Sequence, residues 1–427
     1  MKRLRGNKTK SGASSGAGQM AMLRRLPKLL KYIPGPAQDL RHYFLTMQYW
    51  LSGSQENVVS MVRNLIGRYA NGERKELRGA MQAAAPIDYP EVGLFHPQAE
   101  QRISESLSAL PELRRDYKGT VGVLLLRSYV LSDDAGHYAG VIEALEARGL
   151  RAIPAFASGL DSRPAIEKFF MADGRVTVDA IVSLSGFSLV GGPAYNDAVA
   201  AEKVLAELDV PYVSAQPLEF QTLQGWGGSH MGLSPVESTI MVAIPELDGA
   251  TAPIVYGGRS DGSGVACSGC SHGCTFDEEK GPPRMRVCPE RAETLADRVA
   301  KMVKLRRTER AERNLGIVLF NFPPNSGSVG SAAYLAVFAS LFNTLTTLKA
   351  EGYDVDLPES VDALRDQLLI GNSARFGTDA NVHTRISVDD HVRRERHLGQ
   401  IEAQWGPAPG RQLSDGRSIF ILGAQFG

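Results

Sequence analysis

Charge of one sign, long apolar runs and cysteine are all scarce in this chain. Lys plus Arg and Asp plus Glu each total 47 in 427 residues. With no net charge, no global field draws the chain to nucleic acid or to an anionic lipid surface. No stretch approaches the roughly 18 consecutive apolar residues of a membrane-spanning helix. The basic start "MKRLRGNKTKSGASSGAGQM" carries neither the apolar core nor the small-residue cleavage site of a secretory leader. The expectation is a cytoplasmic protein with no nucleic-acid partner and no transmembrane segment. Cysteine is limited to Cys267, Cys270, Cys274 and Cys288, all in one loop.

What is present is an ordinary globular composition, 43 % hydrophobic and 22 % charged, so a large core is available. The length suits two to four domains. Residues 1–20 are Lys-, Gly- and Ser-rich and are read as a disordered tail. Residues 21–115 form a helical segment, with apolar residues at helical spacing on both sides of "SGSQEN" and with Tyr49 and Trp50 as core positions. From 116 to 260 the pattern becomes strand, loop, amphipathic helix, strand. "GTVGVLLL", "VDAIVSLSGFSLVGG", "VPYVSA" and "APIVYGG" supply successive strands. Such alternation predicts α/β architecture: Rossmann-like, doubly wound parallel-sheet units with the site at the carboxyl ends of the strands. Residues 261–292 are a Cys-rich insertion, and 293–427 are read as a second α/β unit that opens at Leu315 and stops short in "GRSIFILGAQFG".

The cysteine spacing is C-x2-C-x3-C-x13-C. In a cytosolic protein, thiolates so close together bind a soft metal centre more readily than they pair as disulfides. An iron–sulfur cluster takes four cysteines; structural zinc takes four, or three with a histidine such as His272. Both metals fit the spacing, and a reduced, inert loop is the third reading. In "FNFPPNSGSVGSAAYL", residues Asn325, Ser326 and Gly327 stand between a strand and a helix start, where free N–H groups attract an anion; the Gly-Lys-Ser/Thr of an ATP-binding loop is missing. Trp226, among the glycines of "LQGWGGSHMG", is a candidate for contact with a planar aromatic ligand. "NVHTRISVDDHVRRERHLGQIEAQWG" concentrates His383, His391 and Glu402, groups able to take protons or bind a divalent cation, within what otherwise reads as a solvated, ion-paired helix.

Several stretches together resemble one family: "YFLTMQYWLSGSQENVVSMVRNLIGRYA", "GFSLVGGPAYND", "LDVPYVSAQPLEFQT", "PELDGATAPIVYGGR", "FNFPPNSGSVGSAAYLAVFASLFNTL" and "IEAQWGPAPG". The likeness is to the large, porphyrin-binding subunits of magnesium chelatases, within the wider cobaltochelatase group, and it runs from about Met22 to the last residue. It implies insertion of Mg2+ into protoporphyrin IX, a ligase reaction forming nitrogen–metal bonds on the route to bacteriochlorophyll. ATP would be hydrolysed by two smaller partner subunits of the AAA+ type, I and D, and the Mg-protoporphyrin methyltransferase is a further expected partner. The resemblance also implies a [4Fe–4S] cluster on Cys267, Cys270, Cys274 and Cys288, with Zn2+ as the alternative. Glu402 becomes the candidate base that helps strip water from Mg2+, assisted by His383 or His391. Members of the family are much longer, so this chain is read as a truncated fragment, inactive by itself. Cobalt insertion, or a non-catalytic porphyrin-carrying or redox-sensing module, are the other functions considered.

Overall fold

A computed structural model describes residues 25–111, 116–192, 195–276, 283–320, 330, 332, 334–376, 382–410 and 414–422. The chain divides after Arg306 into two compact units. The first opens with the expected helical hairpin, α1 (Ala37–Ser52) and α2 (Gln55–Tyr69). Gly53, at φ 63°, ends α1 in the left-handed conformation, and the Ser54 side chain accepts the Asn57 N–H to cap α2. Tyr49 is buried and its hydroxyl donates to the Ala84 carbonyl. Trp50, expected beside it in the core, is 64 % exposed. The two rings point about 100° apart around α1; Tyr49 faces the packed side of the helix and Trp50 does not.

An eight-stranded sheet follows, made of β1 (Val92–Phe95), β2 (Ile103–Ser104), β3 (Gly119–Leu126), β4 (Leu150–Ala157), β5 (Ala180–Ser183), β6 (Tyr212–Thr222), β7 (Thr251–Arg259) and β8 (Met285–Val287). Its spatial order is β8-β7-β6-β5-β3-β4-β1-β2. The five strands β7-β6-β5-β3-β4 are parallel, and the edges are antiparallel. β3 pairs with β4 from Gly119↔Leu150 to Leu126↔Ala157, and its other side pairs with β5 from Val121↔Ala180 to Leu124↔Ser183. The expected doubly wound sheet is therefore present, and the chain switches sides at β3.

Alternation along β3 feeds two cores. Val121, Val123 and Leu125 point to one face, where α3 (Gly136–Ala147) and α6 (Pro289–Arg307) bury Val141, Ile142, Leu145, Leu295 and Val299. Leu124 points to the other, where α4 (Arg163–Phe169) and α5 (Ala198–Leu208) bury Ile166, Phe169 and Leu208. The continuous apolar run of β3 is what a parallel strand covered on both faces requires.

The second unit contains helices α7 (Val337–Ala350), α8 (Val361–Phe376), α9 (Val388–Arg394) and α10 (Leu398–Trp405), with an antiparallel pair of strands β9 (Val382–Ser387) and β10 (Ser418–Leu422). Helix α7 matches the helix expected after the glycine loop. The strand expected from Leu315 does not form: among the described residues this stretch joins no ladder, and Val318 is 95 % exposed. An apolar run becomes a strand only when a neighbouring backbone takes up its N–H and C=O groups.

One tight point of the sheet is Gly122, where a Cβ would stand 2.6 Å from the Phe170 ring. Gly122→Ala is expected to destabilise the first unit by about 1–3 kcal/mol through overpacking, read as a lowered midpoint in urea denaturation; an unchanged midpoint would contradict the packing described.

Candidate functional site

Because β3 is followed by α3 on one face of the sheet and its neighbour β5 by α5 on the other, the connections leaving these two strands diverge and open a crevice at their carboxyl ends. A cleft of about 910 Å3 occupies this place. Its apolar wall includes Trp50 from the end of α1, Leu160 after β4, Phe187 after β5 and Phe220 from β6. Both the volume and the apolar lining fall in the range of small-molecule sites.

Among the polar side chains that line the cleft, which include Arg127 and several serines, three are coupled to one another. Tyr129, just after β3, donates its hydroxyl to Glu219 Oε1 on β6. Arg259, the last residue of β7, stands 3.8 Å from Glu219 Oε2 and 3.8 Å from Asp134 Oδ2, and Asp134 in turn accepts the Met285 N–H at 2.8 Å. Burial, and after it the hydrogen bond to Glu219, raises the Tyr129 pKa, so the hydroxyl keeps its proton and remains a donor. Edge-on to the Tyr129 ring, at 5.1 Å, lies His137, fully buried and between Tyr138 and Tyr256. Neither ring nitrogen of His137 has a hydrogen-bond partner among the described residues.

Cys267, Cys270, Cys274 and Cys288 all line a second, much smaller cavity, with Leu223, Trp226 and Phe276 as apolar wall. The loop is pinned by the Cys267 N–H donating to the Cys274 carbonyl at 2.8 Å, and the Cys288 N–H donates to the Tyr256 carbonyl of β7 at 2.9 Å. Cys267 Sγ sits 3.8 Å from the Leu223 carbonyl, and a Cβ on Gly227 would fall 2.8 Å from that sulfur, so glycine lets the loop close on the short helix Leu223–Gly227. Burial, then the nearby Cys270 and Cys267, raises the Cys274 pKa; burial also raises that of Cys288, with smaller contributions from Cys270 and Cys274. The thiols are thus close enough to feel one another. Among the described residues, no group of three or more His, Cys, Asp or Glu side chains has the spacing to hold a metal ion. Ligation by all four sulfurs needs their side chains to turn further inward.

The sequence-derived candidates separate. Trp226 packs against the cysteine cavity, with the Arg291 guanidinium over its ring at 5.5 Å, and is not part of the cleft lining. Asn325, Ser326 and Gly327 lie outside the described residues, and so does the side chain of His383 on β9. Glu402, in α10, accepts the Ala408 N–H at 3.3 Å in the turn after the helix. His391, in α9, buries an Nε2 that has no hydrogen-bond partner among the described residues. Its neighbour Asp390 is occupied by Arg393 and Arg394, the ion-paired surface that the charge pattern indicates. Tyr129, Glu219 and Arg259 escaped the sequence reading. The available signal was positional, since each stands at or just beyond the carboxyl end of a parallel strand.

His137 makes stability depend on pH. Burial, and next the positive charge of Arg259, lowers its pKa from 6.5 to about 3. Between those values the unfolded chain binds the proton and the folded chain does not, so stability is full above pH 6.5 and falls as pH drops toward 3. Relative to His137→Phe, the wild-type chain should lose about 2 kcal/mol more between pH 7 and pH 5 in urea denaturation; parallel losses in the two proteins would contradict a buried neutral imidazole.

Comparison with known proteins accounts for nearly every residue of the chain. A family model described as CobN/Magnesium Chelatase matches residues 47–427, and one described as a domain of unknown function matches residues 1–44. The chain is 54 % identical to the H subunit of the magnesium chelatase of Rhodobacter capsulatus, across 100 % of its own length and 35 % of the relative's. Identity to the chloroplastic magnesium-chelatase ChlH protein of Oryza sativa subsp. indica is 34 %, over 98 % of this chain and 30 % of that one. The chain thus spans about a third of the length of these relatives. The solved catalytic subunit of cobaltochelatase from Mycobacterium tuberculosis shares the fold at TM-score 0.59 and 21 % identity, over 89 % of this chain and 30 % of that one. By the match that spans residues 47–427, this chain belongs to the CobN/magnesium chelatase family.

Proposed function

We propose that the chain is a porphyrin-binding portion of a magnesium chelatase large subunit, serving ATP-dependent insertion of Mg2+ into protoporphyrin IX to give Mg-protoporphyrin IX. The observation that carries this reading is the 54 % identity to a magnesium-chelatase H subunit over the full length of the chain. In this reading ATP is hydrolysed by the smaller I and D subunits, and the product passes to a methyltransferase. No described helix is long and apolar enough to cross a membrane. Alone, the chain would bind porphyrin and not metallate it.

The cleft suits the substrate. A flat apolar macrocycle of this kind loses unfavourable water contact against Trp50, Leu160, Phe187 and Phe220, while polar groups at the strand ends fix its orientation. Mg2+ gives up its water reluctantly and prefers oxygen ligands; Glu402 is the candidate oxygen ligand, and His383 and His391 are candidate proton acceptors. Phe220→Arg, which places a charge on the apolar wall, should weaken protoporphyrin IX binding at least about tenfold, followed by tryptophan quenching. Unchanged binding would remove the cleft from the account.

A soft-metal centre is supported by four thiols that share one cavity with none tied up in a disulfide, and it requires the side chains to turn inward. Cys267, Cys270, Cys274 and Cys288 would hold a [4Fe–4S] cluster, which when bound supplies a one-electron redox couple. Trp226 and Phe276 limit water access to the sulfurs, and the Leu223 helix fixes the depth of the loop. Purified without oxygen, the chain should carry iron and sulfide at about four each, and Cys270→Ser should lose both. One zinc per chain, or no metal, would contradict the cluster.

A further inference from the structure

We propose that Glu219 is the cleft's recognition group for the central N–H donors of a metal-free tetrapyrrole, so that the cleft distinguishes a free-base macrocycle from a metallated one. The inference rests on the reading of the cleft as the porphyrin site.

Glu219 is the carboxylate that lines the cleft. It stands near the end of β6 with a side chain 22 % exposed, in a cleft whose walls include Trp50, Leu160, Phe187 and Phe220. Two neighbours fix its direction. The Tyr129 hydroxyl, which burial keeps protonated, donates to Oε1. Arg259 approaches Oε2 only to 3.8 Å, outside hydrogen-bond distance, and shares its charge with Asp134 at the same 3.8 Å. Oε2 is therefore held electrostatically while keeping lone pairs for a ligand.

A free-base porphyrin matches this arrangement when its ring buckles, because the N–H groups of a flat ring lie in its plane and reach an acceptor above it only when a pyrrole tilts out. The macrocycle's only inward donors are these pyrrole N–H groups at the centre of an apolar face, and a carboxylate set among apolar walls is the acceptor that most rewards them. Once a metal replaces the two protons, those donors are gone and Glu219 faces the ring without its partner. A site built around a specific hydrogen bond rejects the analogue that lacks it, because its own polar group is then buried unpaired.

The test compares protoporphyrin IX with its copper(II) complex, which keeps the peripheral groups and flat shape, has no N–H and favours square-planar coordination. Binding to the chain is followed by quenching of tryptophan fluorescence; Trp50 lies in the cleft wall. The wild-type chain should prefer the free base about tenfold. Glu219→Leu should abolish the preference, and Glu219→Gln, which keeps the shape and a neutral acceptor, should reduce it. Affinity for the copper complex should fall in neither variant and should rise in Glu219→Leu, which leaves no carboxylate buried unpaired; retained binding of this ligand also reports that the variants are folded. Equal wild-type affinity for the two ligands, or a preference that survives in Glu219→Leu, would overturn the role of Glu219 and leave the cleft as a porphyrin site. Binding of neither ligand would overturn the porphyrin reading itself.

Discussion

The two-sided pairing of β3 is the constraint on which the first unit depends. A strand whose backbone is taken up by β4 on one side and β5 on the other must be apolar on both faces, and "GTVGVLLL" meets that demand. Since the chain returns first on one flank and then on the other, the loops beyond β3 and β5 part, and the space between them cannot be filled by either connection. The cleft follows from the strand order, before any particular side chain is considered.

The same strands carry both candidate sites. β6 brings Glu219 and Phe220 to the cleft and then runs into the helix Leu223–Gly227 on which Cys267 rests. β7 presents Arg259 at its end and leads into the cysteine loop, while β8 runs directly into Cys288. Asp134, which faces Arg259, also accepts the Met285 N–H at the head of β8. A change in the position of the cysteine loop would therefore act on groups only a few residues from the cleft lining.

Much of the first unit was legible because its signals are local. Buried parallel strands are short apolar runs, and the covering helices repeat at helical spacing, so each announces itself within a dozen residues. The cysteine loop was legible for the same reason, with three of its four thiols in eight residues. The cleft was not: Tyr129 and Glu219 are 90 positions apart and meet only through the sheet order, which no local pattern encodes. Trp50 departs from expectation because apolar character does not by itself fix burial, and its ring lines the open cleft instead of the core. Leu315–Phe320 departs for a related reason, since strand tendency shows in composition while the partner strand does not.

The claim that the strand-end cleft receives the macrocycle is tested most directly by hydrogen–deuterium exchange with and without protoporphyrin IX. The account predicts slower exchange in the segments after β3, β4 and β5 and at the end of β6, around residues 127–132, 158–160, 187 and 219–220. Protection confined to the segment around Glu402, with these loops unchanged, would contradict it.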